Sequence, residues 1–187
     1  MKEDIEQSVK VLKQGGVILY PTDTIWGIGC DATNSRAVQK IYKLKGRPRS
    51  SSFLVLLDSE RKISNYVEKV PDILWDLLKS FDTPTTVVYP GAKNLARNVT
   101  AEDGSIAIRI TQEEFSRRLI HSFGAPVVST SANLTGEEVP IVFKEIDRRI
   151  VEGVDYAVKT NRDKLNKVKA STIIRLKPNG EFEIIRQ

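Results

Sequence analysis

The sequence has few of the side chains that most enzymes use for covalent or metal chemistry. It holds one histidine, His121, and one cysteine, Cys30, with no ligand spacing between them. This excludes zinc fingers and ordinary His/Cys metal sites, weakens any triad-type nucleophile and allows no internal disulfide. Neither G-x-x-x-x-G-K-[ST] nor G-x-G-x-x-G occurs, so a bound nucleotide would be held by neither common phosphate loop. Aromatic residues make up 7%, and none stands between Tyr42 and Phe53, which speaks against reading single-stranded RNA by base stacking. No apolar run approaches the ~20 residues of a membrane span. The opening stretch MKEDIEQSVKVLKQGG is charged and helix-like, unlike a secretory leader, so a cytoplasmic protein is expected.

One further absence is local. No acidic residue lies between Asp31 and Asp58, while Arg36, Lys40, Lys43, Lys45, Arg47 and Arg49 all do. Six cations in that interval exceed the net charge of the whole chain, +5. Such a stretch is either a solvated flank or the seat of an anion.

The 187 residues, 40% apolar and 28% charged, suit one soluble domain over 1–187 with a sizeable core. Ile5, Val9 and Leu12 repeat at helical spacing and stop at Gly15-Gly16. VILYP reads as a buried strand ended by Pro21. Asn34 can cap a helix whose Ala37, Val38, Ile41 and Tyr42 form one apolar stripe, with Arg36, Lys40 and Lys43 on the opposite, wet face. Gly46 and Pro48 end that helix, which puts Lys45 and Arg47 at its exit. FLVLL, TTVVY (85–89), SIAIRI (105–110) and PVVST (126–130) read as strands. Helices are expected from Pro71 through Leu78, over 112–122, and over 141–150, where Val142, Ile146 and Ile150 share a line. DYAV suggests a short strand, and STIIRL and EFEIIRQ a hairpin turned at Asn179-Gly180. The pattern predicts an α/β fold: a single-domain twisted mixed sheet with flanking helices.

Three segments read as loops, each a strand that stops in a run of small hydroxyl or glycine residues: YPTDTIWGIGCDA (20–32), LKGRPRSSS (44–52) and VSTSANLTG (128–136). Hydroxyls and free backbone N–H groups suit phosphate and carboxylate oxygens, and lysine and arginine supply countercharge. Each segment also fits a plainer reading. Thr22, Asp23 and Thr24 could form a local turn in which Asp23 accepts from backbone N–H groups. Lys45, Arg47 and Arg49 could be solvated charges, and Ser129, Ser131 and Asn133 could cap the next segment of chain. Arg109 interrupts an apolar strand and needs an anionic partner, either a ligand or a protein carboxylate. Trp26 suits packing with some cover of a ligand. His121 reads as structural, and Cys30 as a small buried residue.

In this order the segments resemble the YrdC-like threonylcarbamoyl-AMP synthase family over essentially the whole chain. GGVILYPTDTIWGIGCDA is similar to the family's opening signature, Lys45-Gly46-Arg47 to its Lys-x-Arg element, and Ser131-Ala132-Asn133 to its Ser-x-Asn element. SIAIRI resembles the strand with the substrate-side arginine, here Arg109. STIIRL and EIIRQ resemble the C-terminal strand pair, with Ser171, Thr172 and Arg186 at ligand-facing places. The chain departs from the pattern at DTPTT, which keeps Pro84 and Thr86 but lacks the family's glycine, and at Trp26, where tyrosine is commoner.

The resemblance implies a short single-domain form with a concave basic cavity. It implies condensation of L-threonine, bicarbonate and ATP to threonylcarbamoyl-adenylate and pyrophosphate, with Mg²⁺ carried by the ATP phosphates. The product would pass to a transferase complex that modifies tRNA beside the anticodon. Lys45 and Arg47 would be the catalytic clamp on phosphates and carbamate. Thr86, Ser105, Ser131, Asn133 and Arg186 would line the nucleotide side. Thr22, Thr24, Arg109, Ser129 and Ser171 would frame threonine. The alternatives are a tRNA- or double-stranded-RNA-binding module without catalysis and a relative that uses another amine.

Overall fold

The computed structural model describes residues 1–186 apart from Arg49, Ser50, Ser80, Asp82, 164–170 and Pro178. Arg49, a member of the basic interval, therefore lies outside the described residues. In chain order the elements are α1 (Lys2–Lys13), β1 (Ile18–Pro21), β2 (Trp26–Gly29), α2 (Ser35–Lys45), β3 (Leu54–Leu57), α3 (Ile73–Lys79), β4 (Thr85–Tyr89) and β5 (Ile106–Ile110). They continue with α4 (Glu114–Phe123), β6 (Val127–Ser131), α5 (Arg148–Gly153), β7 (Tyr156–Ala157), β8 (Thr172–Leu176) and β9 (Phe182–Arg186). Short 3₁₀ turns occupy Glu60–Asn65, which the sequence pattern does not announce, and Phe143–Glu145.

The strands join one mixed sheet in the order β7-β1-β2-β6-β3-β5-β4-β8-β9. Pairs β1/β7, β3/β5 and β4/β8 are parallel and the others antiparallel. Sequence neighbours are often apart in space, so residues far apart in the chain meet on adjacent strands.

Helix α2 forms as its sequence dictates. The Asn34 side chain accepts from the N–H groups of Arg36 and Ala37, and Gly46 closes the helix in the left-handed region at φ 60°. Ala37, Val38, Ile41 and Tyr42 are buried, and the Tyr42 ring lies 4.5 Å from that of Phe53, which fixes α2 against the sheet. Burying each such large side chain contributes about 1.5–3 kcal/mol, so the apolar stripe outweighs the modest effect of the cap. Helix α1 buries Leu12 fully and packs Ile5 and Val9 against the core. Its inner line also holds Asp4, whose carboxylate accepts from the Tyr156 hydroxyl at 2.5 Å and from the N–H groups of Lys159 and Thr160 at 3.1 and 2.9 Å.

Three expectations need correction. The glycine-rich stretch after Thr24 is not all loop: Trp26–Gly29 is strand β2, paired antiparallel to β1. Glycine is required because the Tyr20 ring and strand β6 crowd the space over β2: a Cβ on Gly29 would stand 2.5 Å from the Val128 carbonyl and 2.7 Å from Tyr20. The helix expected over 141–150 is broken. The Glu145 carboxylate turns back to accept from the Ile141 N–H at 2.9 Å, Ile146 is extended, and Asp147 caps a new helix by accepting from the Arg149 N–H. Helix α4 starts at Glu114 rather than at 112, since Glu113 is extended at ψ 128° and caps the helix, its carboxylate accepting from the Ser116 N–H at 2.7 Å.

Candidate active site

Side chains alternate across a strand, so the register assigns each residue to one face of the sheet. Cross-strand partners put Tyr20 opposite Gly27, Gly27 opposite Ser131, Ser129 opposite Leu54, Leu56 opposite Arg109, Arg109 opposite Thr86, Thr86 opposite Ile173 and Ile173 opposite Arg186. All of these share one face. The other face carries Leu19, Ile28, Val55, Ile108, Val128 and Ile174, all at 2% exposure or less. One side of the sheet is thus apolar core, and the other holds a row of hydroxyls and two arginines above a glycine floor.

At one end of this face stands Arg109, 6% exposed. Its Nε and Nη2 both donate to the Thr86 hydroxyl, at 3.0 and 2.8 Å. Burial pushes its pKa down, while the charge of Asp23 opposes that shift. Among the described residues it makes no ion pair with a carboxylate, so its charge is met by a neutral hydroxyl and by the field of Asp23. Next to it, Arg186 donates from Nε to the Ser171 carbonyl at 3.1 Å and from Nη2 to the Ser171 hydroxyl at 3.0 Å.

The Thr22 hydroxyl closes a tight turn by donating to the Ile25 carbonyl at 2.6 Å and accepting from the Thr24 N–H at 3.4 Å. This turn borders Ser129, because a Cβ on Gly27 would stand 2.9 Å from Thr22 Cγ2 and 3.2 Å from Ser129 Oγ. Asp23 does accept backbone N–H groups, but from residues 89 and 90 positions away.

At the other end of the face is the exit of α2. Lys45 is 3% exposed, and its Nζ donates to the Ser131 carbonyl, to the Asn133 carbonyl at 2.6 Å and to Asn133 Oδ1 at 3.4 Å. Asn133 Oδ1 also accepts from the Ser131 hydroxyl at 2.5 Å, and Asn133 Nδ2 donates to the Glu137 carbonyl. Burial pulls the Lys45 ammonium down to about 8, with the neighbouring Arg47 charge adding to the effect. Three oxygens around Nζ favour the charged form, so the amine remains a donor at neutral pH.

Arg47 donates to the Ser52 carbonyl at 2.9 Å and to Thr130 Oγ1 at 3.4 Å, and its guanidinium lies over Phe53 at 4.9 Å. Its Nε is buried without a hydrogen-bond partner, which leaves donor capacity that only an added acceptor would satisfy. Burial lowers the pKa of this guanidinium as well.

The structure therefore gathers Lys45, Arg47, Ser131 and Asn133 at one station, and Thr86, Arg109, Ser171 and Arg186 at another. Ser129, Thr22 and Thr24 lie between or beside them. Ser105 is the exception: its N–H and hydroxyl both serve Asp103 in the turn before β5. From the Arg109 row to the Ser131 row is four strand residues, about 13 Å.

Trp26 is fully buried and meets Phe143 edge-on at 4.9 Å between ring centroids, so it packs into the core. Cys30 is buried as expected. His121 is exposed on α4, where its Nδ1 meets Asp58 Oδ2 at 3.2 Å. The sequence pattern does not reveal Asp23 as a long-range partner or Tyr20 as the ring resting on the glycine floor.

No group of three or more His, Cys, Asp or Glu that could hold a metal occurs among the described residues. No helix among them is long and apolar enough to cross a membrane.

A mixed sheet with a glycine-floored, hydroxyl-lined face and two groups of cations beside it, each with a buried member, has the chemistry that suits anionic small molecules. Sequence comparison gives the family. The Sua5/YciO/YrdC family model, described as telomere recombination, matches residues 10–187, and the chain belongs to that family. It is 36% identical over 157 residues to the threonylcarbamoyl-AMP synthase of Pseudoalteromonas translucida, covering 82% of this chain and 84% of that one. Among solved structures it resembles E. coli YciO at a TM-score of 0.85 and 25% identity, covering 100% of this chain and 90% of that one. It also resembles P. abyssi Sua5 complexed with L-threonine, at a TM-score of 0.82 and 21% identity, over 97% of this chain. The chain spans about half, 53%, of that Sua5 chain.

Proposed function

We propose that the protein is a threonylcarbamoyl-AMP synthase, a nucleotidyltransferase that joins L-threonine, bicarbonate-derived CO2 and ATP. The observation that carries this reading is the pair of cationic stations, Arg109 with Arg186 on the hydroxyl-lined face and Lys45 with Arg47 at the end of β6, neither matched by a protein carboxylate at ion-pair distance among the described residues. Membership of the family supports it.

The chemistry asks for no protein nucleophile. The threonine amine adds to CO2, losing a proton and forming a carbamate. A carbamate oxygen then forms a bond to the α-phosphorus of ATP, the bond from that phosphorus to the bridging oxygen breaks, and pyrophosphate leaves. The difficulty is electrostatic, because two anions must meet. A like-charge pair at ~4 Å repels by about 4 kcal/mol at an effective dielectric of ~20. Arg47 and Lys45 would offset that repulsion, and Mg²⁺ would arrive on the triphosphate as part of the substrate.

In this reading Arg109 takes the threonine carboxylate, and Thr22, Thr24, Ser129 and Ser171 frame the rest of the amino acid. Thr86, Ser131, Asn133 and Arg186 line the nucleotide side, with Ser105 joining only if it releases Asp103. Lys45, whose three donors already hold the Ser131–Asn133 segment, acts partly by shaping that wall. The same reading has the product consumed by a tRNA-modifying transferase in the cytoplasm, and extends to tRNA binding by the protein itself.

The test is incubation with ATP, bicarbonate and L-threonine, followed by pyrophosphate release and mass detection of the adenylate. Both should require threonine. Arg47→Ala should abolish them while the protein stays folded, and near-normal turnover in that variant would remove the clamp.

A further inference from the structure

We infer that Asp23 is a positioning residue for the amino-acid end of this site, acting through a tether that joins two distant parts of the chain. This rests on the proposed synthase activity and adds a residue to it. Asp23 Oδ1 accepts from the Gln112 N–H at 2.6 Å and the Glu113 N–H at 2.9 Å, and Oδ2 accepts from the Thr111 hydroxyl at 2.7 Å. The partners come directly after β5, the strand that bears Arg109. A second link runs beside it, from the Ser116 hydroxyl to the Pro21 carbonyl at 2.6 Å. The Thr22–Thr24 turn is therefore fastened through Asp23 to the residues that follow the arginine strand and, through Pro21 just before it, to helix α4.

The tether settles where the turn stands. Thr22 spends its hydroxyl inside the turn, on Ile25 and Thr24, so that hydroxyl does not fix the turn's distance from Arg109. Asp23, with the Ser116–Pro21 link beside it, does. Without it, the N–H groups of Gln112 and Glu113 would turn to water and the turn would be free to shift away from Ser129 and Arg109.

The carboxylate also acts on Arg109 through its charge, which favours the guanidinium that burial disfavours. That charge has a cost for binding, since it repels an incoming substrate carboxylate. Tether and charge thus push affinity in opposite directions, and two substitutions separate them. Asp23→Asn keeps an oxygen for the two N–H groups and offers its amide to Thr111, but removes the charge. Asp23→Ala removes both.

The experiment measures KM for threonine, KM for ATP, kcat and Tm in the wild type and both variants. In Asp23→Ala the KM for threonine rises about tenfold or more, as expected for losing charge-assisted hydrogen bonds, while the KM for ATP stays within about twofold. In Asp23→Asn the KM for threonine returns to within about threefold of wild type or falls below it. A merely structural residue would lower Tm in Asp23→Ala without splitting the two KM values. Equal rises in both, an unchanged threonine KM in Asp23→Ala, or an Asp23→Asn as impaired as Asp23→Ala would each overturn the inference alone. Absence of threonine-dependent pyrophosphate release in the wild type would instead overturn the enzymatic reading, and the inference with it.

Discussion

Lys45 shows what burial does to a single charge. Its ammonium sits at 3% exposure beside Arg47, and the shift to about 8 comes from lost hydration before it comes from repulsion. A lysine pulled down in this way is charged below about pH 8 and neutral above it. Turnover that needs the cation should therefore fall as pH rises through about 8, where an unperturbed lysine near 10.4 would leave the rate flat. Lys45→Arg should retain, at pH 9, a larger fraction of its own pH 7 rate than the wild type does. A pH profile of pyrophosphate release for both proteins checks this, and superimposable alkaline limbs would dismiss Lys45 as the titrating group. At the same scale the sequence conveys residue types better than partners. The isolation of Arg109 within an apolar strand is visible in SIAIRI, but Thr86 as its acceptor is not, because it reaches Arg109 only through the β4/β5 register. Asp23 looks like an ordinary turn former, since its true partners are about ninety positions away.

Among the elements, β2 is the one that the sequence hides. Two glycines in four residues read as loop, and only the Tyr20 ring and strand β6 crowding them make glycine the residue a strand needs there. The two glycines should respond differently to a methyl group. On Gly29 it meets the Val128 carbonyl, a backbone atom that cannot turn aside. Gly29→Ala should lose about 1–3 kcal/mol or more, measured by denaturant unfolding. On Gly27 it meets the Ser129 hydroxyl and the Thr22 methyl group, which can yield only by disturbing the turn that Thr22 closes. Gly27→Ala should cost less stability than Gly29→Ala yet bind threonine more weakly, and a calorimetric titration with threonine would show it. Intact affinity in Gly27→Ala would detach β2 from the site.

Helix α2 is the opposite case. Its cap, stripe and closing glycine are all local, so sequence and structure agree on it. The split at Ile146 escapes the pattern because Val142, Ile146 and Ile150 keep helical spacing even where the chain does not.

For the whole molecule, Asp4 is the clearest link between charge and stability. Burial alone would raise its pKa, yet the hydroxyls of Thr160 and Tyr156 and the N–H groups of Lys159 and Thr160 outweigh it and bring it to about 2. A folded-state value below the unfolded 3.8 means stability that is fully present above pH 4 and is lost as pH falls towards 2. Tm should drop across that window, and Asp4→Asn should show a shallower drop from a lower starting point. An identical acid slope in the variant would assign the effect to other carboxylates. What the sequence makes legible at this scale is the class of fold and the inventory of the site. The strand order is not legible, because it depends on pairings between segments that share no local signal.

That strand order also decides where the chain could be cut. Thr22, Lys45 and Arg47 come from the first third, while Thr86, Arg109, Ser129 and Arg186 come from the remainder, and β6 and β3 interleave the two contributions. Neither fragment of a bisected polypeptide would own a complete binding surface. Any split version of this protein would have to regain its ligands through reassociation of the pieces.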